Sequence, residues 1–230
     1  MSLVIVSATR CSEQEFWETS PLGQSLTRLA VDTRISSMIA FTNQIGLPLV
    51  YNHCLSLMQG DPMAVFIHDD VWIEDFALYE HLQSGLQVFD MVGVVGNKRR
   101  FPGQPAWAFL DSQWNWDEDA NLSGLIGHGD YPFARVDRFG PSPSECELLD
   151  GVLLGVQWST LEKSGIRFDK RFPFHFYDMD LCRQMRQAGL RIGTWPICIT
   201  HQSSGGYESE GWRTSYGQYL AKWGEQKFAV

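Results

Sequence analysis

The sequence predicts an α/β domain of the Rossmann type, with a mixed, mostly parallel sheet and helices on both faces. Two observations carry that expectation. Continuous apolar runs at Leu3-Val4-Ile5-Val6 and Met63-Ala64-Val65-Phe66-Ile67 read as strands buried on both faces. Between them, Leu47, Tyr51, Cys54, Leu55 and Met58 recur at helical spacing, which gives a helix with one apolar side. Strands alternating with such helices point to a parallel sheet joined by crossovers.

Taken in order, Leu3–Val6 is the first strand, and Ser12-Glu13-Gln14-Glu15 reads as a capping box that starts a helix. Ile35–Phe41 is the second strand candidate, and Gly60-Asp61-Pro62 ends the helix that follows it. After the Met63–Ile67 strand, Phe76, Tyr79, Leu82 and Leu86 make a helical stripe, and Met91–Val95 is a fourth strand ending at Gly96. From Asn97 to Asp150 periodicity fades among Gly, Pro, Trp and Asp residues, which predicts an irregular excursion beside a site, with short strands at most. Order resumes at Val152-Leu153-Leu154. Ser159-Thr160-Leu161-Glu162 is a second capping box, with Gly165 as the stop. Leu181, Met185 and Ala188 form a stripe that begins after Asp180 and ends at Gly189, and Leu190–Thr194 and Ile197–Thr200 read as strands. The tail from Ser203 is rich in glycine and aromatic residues, as expected of a lid.

Composition narrows the function classes. A chain of 230 residues fits one domain with an ample core. A net charge of -9 argues against a nucleic-acid partner, because no diffuse positive field is available to hold a polyanion. Five widely spaced cysteines, Cys11, Cys54, Cys146, Cys182 and Cys198, without a C-x-x-C, suit small apolar residues in a reducing compartment. With no signal peptide and no run long enough to cross a bilayer, the expected location is cytoplasmic. Most of the nine tryptophans are expected in the core, with some rings free to stack on sugars or bases.

The chemistry-bearing residues cluster at strand ends, where open α/β sheets bind ligands. His68-Asp69-Asp70 follows the third strand. Adjacent carboxylates resist ionising together, and a divalent cation removes that cost, which favours Asp70 as a ligand to Mn²⁺ or Mg²⁺. The plainer alternative is that Asp69 or Asp70 caps a helix starting near Glu74. Of the acids in Tyr177-Asp178-Met179-Asp180, Asp180 suits a helix cap, which leaves Asp178 as the general-base candidate. His201, before Gln202-Ser203-Ser204-Gly205-Gly206, is a candidate to touch a phosphate or the metal. Asn97-Lys98-Arg99-Arg100 reads as a solvated turn, with phosphate binding as the alternative.

In order and spacing these segments resemble the glycosyltransferase family 2-like proteins, which have the GT-A fold, and the resemblance covers most of the chain. It includes Ala8-Thr9-Arg10, Asn43, Gly46-Leu47, Tyr51-Asn52, Phe66 to Val71, Asp150-Gly151, Phe174 to Cys182, Ala188 to Gly193, and Thr200-His201 with Gly205-Gly206. The resemblance implies a nucleotide-binding half over 1–96, the excursion over 97–150, and an acceptor and catalytic half over 151–230 with a C-terminal lid. It implies that Ala8, Thr9, Arg10, Asn43, Asn52, Asp69 and Gly151 meet a nucleotide sugar, that Asp70 and His201 meet the metal, and that Asp178 is the catalytic base. The implied reaction is inverting transfer of one sugar, with UDP-sugars as the first expectation for the donor and a glycan or other hydroxyl as acceptor. Two positions depart from the family pattern. His68 stands where the first acid of Asp-x-Asp is expected, and Tyr177 stands where an acid precedes the base. Gln218 to Trp223 lacks the Gln-x-x-Arg-Trp spacing of processive synthases. The rival readings are a non-catalytic nucleotide-sugar or carbohydrate-binding protein on the same fold, a nucleotidyltransferase and a metal-dependent hydrolase. The second is disfavoured because Ser7-Ala8-Thr9-Arg10 contains no glycine.

Overall fold

A computed structural model of the protein describes residues 2–203 and 206–226; Ser204 and Gly205, named above with the closing segment, lie outside the described residues. The chain runs β1 (Leu3–Ala8), α1 (Glu13–Thr19), α2 (Pro21–Leu29), β2 (Ile35–Ala40), α3 (Leu47–Leu57), β3 (Met63–Ile67), β4 (Val71–Ile73), α4 (Leu78–Gly85), β5 (Met91–Gly93) and β6 (Val95–Asn97). It continues with β7 (Leu122–His128), β8 (Arg135–Gly140), β9 (Ser144–Cys146), β10 (Leu148–Leu149), β11 (Leu153–Gln157), α5 (Trp158–Ser164), α6 (Tyr177–Gln187), β12 (Ile192–Thr194), β13 (Ile199–His201) and α7 (Glu210–Trp223).

The main sheet has the order β2-β1-β3-β11-β5-β12-β9. β1 pairs in parallel with β2 and β3, as the apolar runs predict. The sheet is nevertheless mixed rather than mostly parallel. β11 lies antiparallel between β3 and β5, and β9 lies antiparallel to β12, while β12 and β5 are parallel. The reversal arises because the chain returns to β11 from the long 97–150 excursion and not through a crossover helix. A second, curled sheet follows the order β10-β6-β7-β13-β4, with β8 on the other edge of β7. Within the excursion, residues 98–121 hold no helix or strand, and short strands follow, of which β7 and β8 form an antiparallel pair over residues 124–140. Glycines at 124, 127, 129 and 140 break the apolar alternation there. At Gly124, with φ +98°, any side chain would meet the Val94 carbonyl.

Local signals fared unevenly. The Ser12–Glu15 capping box forms reciprocally. α2 was not expected; Ser20 caps it through the Gly23 amide, and Pro21 opens it. The Ser159–Glu162 box does not form, because α5 begins two residues earlier than the box requires, with Gln157 as its cap, although Gly165 ends it at φ +69° as expected. Phe76 leaves the predicted stripe, 70% exposed, since α4 starts only at Leu78. No helix starts near Glu74, so Asp69 and Asp70 cap nothing: Val71–Ile73 is a strand. One hydrophobic cluster runs from Leu3 to Leu220 and includes Trp212, Tyr216 and Tyr219 of α7. Among the described residues, no helix is long and apolar enough to cross a membrane.

Candidate active site

β3 is buried at every position, so its end delivers His68, Asp69 and Asp70 together to the edge of the sheet. β13 ends beside it at His201, whose strand pairs with β4 and β7. These two ends line a cleft of about 770 Å³, a size usual for small-molecule sites. Ligand atoms of His68, Asp70 and His201 lie within 4.8 Å of one another. His201 Nε2 is 3.2 Å from Asp70 Oδ1 and 3.1 Å from Ser203 Oγ. Burial raises the Asp70 carboxyl's pKa, but the His201 hydrogen bond and charge outweigh it and hold the carboxyl below its ordinary value. Burial likewise opposes the charged form of His201, and the Asp70 contact reverses that, so its pKa is raised. For His68, burial first and the neighbouring His201 second lower the pKa.

Orientation of His68 comes from an unexpected partner. Tyr177 donates its hydroxyl to the Gly151 carbonyl at 2.9 Å and lies 2.8 Å from His68 Nε2. Since the hydroxyl's one proton goes to a carbonyl, which can only accept, His68 Nε2 is the donor to Tyr177 and its Nδ1 keeps a free lone pair. The two departures from the family pattern, His68 and Tyr177, are thus bonded to each other. Phe174 stacks on the His68 ring, with centroids 6.0 Å apart and planes at 20°.

Asp178 sits in the first turn of α6, and so does Asp180, because the helix starts at Tyr177 with Phe176 as its cap. Asp180 is therefore not the cap expected of it. It is fully buried and takes hydrogen bonds from Lys222, Trp223 and Gln184. Asp178 accepts from the Gly151 amide at 3.0 Å and faces the cleft. Burial and then the charge of Asp150 push its pKa up to about 7. That value suits a group that must take a proton near neutrality. Gly151 is required here: a Cβ would lie 2.5 Å from the Tyr177 hydroxyl oxygen.

Of the residues singled out in the sequence, the cleft wall brings together Ala8, Asp69, Asp70, Gly151, Asp178 and His201. Thr9, Arg10, Asn43 and Asn52 are not part of that wall. Thr9 is buried and accepts from the Cys11 amide, Arg10 is exposed, and Asn43 holds the Ile45 carbonyl. Asn52 gives both ends of its amide to the Phe168 backbone, at 2.8 and 3.1 Å. The basic run also serves structure: Asn97 and Arg99 hold Asp117, Arg100 holds Glu225, and Lys98 meets the Ala120 carbonyl. Asp150, named in sequence only as part of the Asp150-Gly151 segment, lines the cleft, and sequence reasoning passed over His128, Trp107, Trp116 and Tyr207, which line it too. Asp150 was legible through its place before Gly151; the others sit in stretches without periodicity. Asp150 accepts from the Trp107 indole at 2.5 Å and the Val152 amide at 2.8 Å.

No protein-family model matches the chain, and no curated protein matches it in sequence. In three dimensions it is similar to GalNAc-T7, from a crystal structure with UDP, GalNAc and Mn²⁺, with a TM-score of 0.53 at 9% identity. The match covers 95% of this chain and 47% of that one, so this chain spans about half the length of its neighbour. It is also similar to A197 from STIV, with a TM-score of 0.47 at 10% identity, covering 91% of this chain and 98% of that one. The fold resembles that of GT-A glycosyltransferases.

Proposed function

We propose that the protein is a metal-dependent glycosyltransferase that moves one sugar, with inversion, from a nucleotide-diphospho-sugar to a hydroxyl acceptor. The observation that carries this reading is the meeting, in one cleft, of the His68–Asp70–His201 group with a carboxylate poised near neutrality, Asp178. The GT-A-like fold raises its standing without deciding it, since one fold hosts many functions.

His68, Asp70 and His201 would hold the ion. Two imidazoles and one carboxylate suit Mn²⁺ better than Mg²⁺, which prefers oxygen ligands throughout. When bound, the ion neutralises charge on the departing diphosphate. The Tyr177 contact occupies His68 Nε2 and leaves the Nδ1 lone pair as the one the ring would offer to an ion. Asp178 takes the proton of the acceptor hydroxyl as that oxygen attacks the anomeric carbon from the face opposite the leaving group, which inverts the centre. The Gly151 amide fixes the Asp178 oxygen while it does so. UDP-sugars are the first donors to test, because the GalNAc-T7 structure contains UDP and Mn²⁺.

The test is UDP release from a panel of UDP-sugars, with water or simple glycosides as acceptor, in the presence of Mn²⁺. The wild type is expected to release UDP, and Asp70→Ala to lose the metal-dependent rate. Equal rates in the two proteins would refute the metal role of Asp70.

A further inference from the structure

Within the 107–116 stretch, one aromatic residue behaves differently from the buried ones beside it. Trp107 and Phe109 are buried, at 7% and 8% exposure, whereas Trp116 is 55% exposed. Its position is nonetheless fixed. Phe109 bridges to Trp116, the Asp117 amide donates to the Ala108 carbonyl at 2.9 Å, and the Asp117 side chain is held by Asn97 and Arg99. The Trp116 ring stacks on Phe139, with centroids 5.7 Å apart and planes at 19°, and Phe109 packs on it at 4.6 Å. Phe139 thus covers part of the ring, more than half of the residue stays exposed, and it lines the cleft. A singly exposed apolar side chain is ordinary on a flat surface. A rigidly held indole, more than half exposed in a concave site, is suited to serve as a stacking platform.

The occupant follows from the surroundings. The axial C–H groups of a pyranose carry partial positive charge and lie flat against the negative face of an aromatic ring. Asp119, Asp137 and Arg135 line the same cleft and offer acceptors and donors to sugar hydroxyls. Phe139 connects Trp116 to Trp107 edge-on at 5.2 Å, and Trp107 holds Asp150, whose charge acts on Asp178. The platform therefore belongs to the acid side of the cleft, set back from the acids by two rings, and not to the β1 end at Ala8. We infer that the acceptor is an oligosaccharide, and that Trp116 stacks on a pyranose next to the sugar that receives the transfer. This rests on the transferase reading for the word acceptor; the carbohydrate site itself is tested independently.

The probes are α- and β-linked hexose and N-acetylhexosamine disaccharides, with the matching methyl monosaccharides. They are titrated by calorimetry and by saturation-transfer NMR into the wild type, Trp116→Ala and Trp116→Phe, each checked for native circular dichroism. UDP with Mn²⁺ is titrated into the same proteins. At least one disaccharide is expected to bind more tightly than its monosaccharide, with saturation strongest on the protons of one pyranose face. Trp116→Ala is expected to weaken it on the order of tenfold, Trp116→Phe to keep most of the affinity, and UDP binding to stay unchanged in both. Absence of binding across the panel, or equal binding by Trp116→Ala, overturns the inference. A matching loss of UDP affinity in Trp116→Ala also overturns it, by showing that the ring holds the nucleotide base. Failure of UDP and Mn²⁺ to bind the wild type, with disaccharide binding intact, removes the transferase reading and leaves the sugar platform standing.

Discussion

His68 and Tyr177 stand 109 residues apart in sequence and 2.8 Å apart in space, and each replaces an acid expected by resemblance. Tyr177 restores orientation where charge has been lost, in the manner of an outer-shell partner to a ligating histidine. Tyr177→Phe is expected to weaken Mn²⁺ binding about 10- to 100-fold by calorimetry and to retain turnover at saturating Mn²⁺; unchanged affinity would show that the hydroxyl does not set the ring. Asp178 raises a different matter, one of linkage. Its pKa in the folded protein, about 7, exceeds the ordinary value of 3.8, so the folded state favours the protonated form. The cost of ionising it is absent below the unfolded value, grows as pH rises, and is complete above about 7. Asp178→Asn is expected to raise Tm relative to wild type, more at pH 8 than at pH 5, while lowering turnover on the order of 10²- to 10⁴-fold. Wild-type turnover should fall as pH drops through about 7. A Tm gain that is equal at both pH values, or turnover kept by the variant, would make Asp178 structural.

Among the elements, α7 serves α6 as a brace. Lys222 reaches Asp180 at 2.6 Å and Asp169 at 2.8 Å, Trp223 donates to Asp180, and Glu225 joins Arg183 to Arg100. Asp180 lies within one turn of Asp178, so the helix that carries Asp178 is anchored near its start. Lys222→Met leaves a fully buried carboxylate short of its cation and is expected to cost about 3 kcal/mol at pH 7.5. The loss should shrink at pH 5, because burial already raises the Asp180 pKa and a proton then replaces the missing charge. Urea denaturation at the two pH values measures it; a pH-independent loss would contradict the charge argument. The elements also show what the sequence made legible. β1 and β3 were readable because both their faces are buried, and α1 because its cap is local and reciprocal. The antiparallel course of β11 was not readable, since strand direction depends on a connection whose own strands are interrupted by glycine. The meeting of Asp70 and His201 in one cleft was legible because each follows the end of a strand. Asn52 was less legible, because in sequence nothing distinguishes an amide that ties α3 to the Phe168 backbone from one that faces a ligand.

At the scale of the molecule, charge poses the main constraint. The protein carries a net charge of -9, and Asp69, Asp70, Asp150 and Asp178 all face the cleft. The lysine and arginine run at 98–100 lies elsewhere, engaged by carboxylates and a carbonyl. A diphosphate approaching such a surface meets repulsion unless a cation intervenes. Metal and nucleotide should therefore bind with positive coupling, and each should strengthen the other by the same factor. The most direct measurement is the Tm of the wild-type protein with Mn²⁺ alone, UDP alone, and both. The account predicts a small shift with either and a larger shift with both than the sum of the two, with Mg²⁺ less effective than Mn²⁺. A Tm that UDP leaves unmoved in the presence of Mn²⁺ would contradict it.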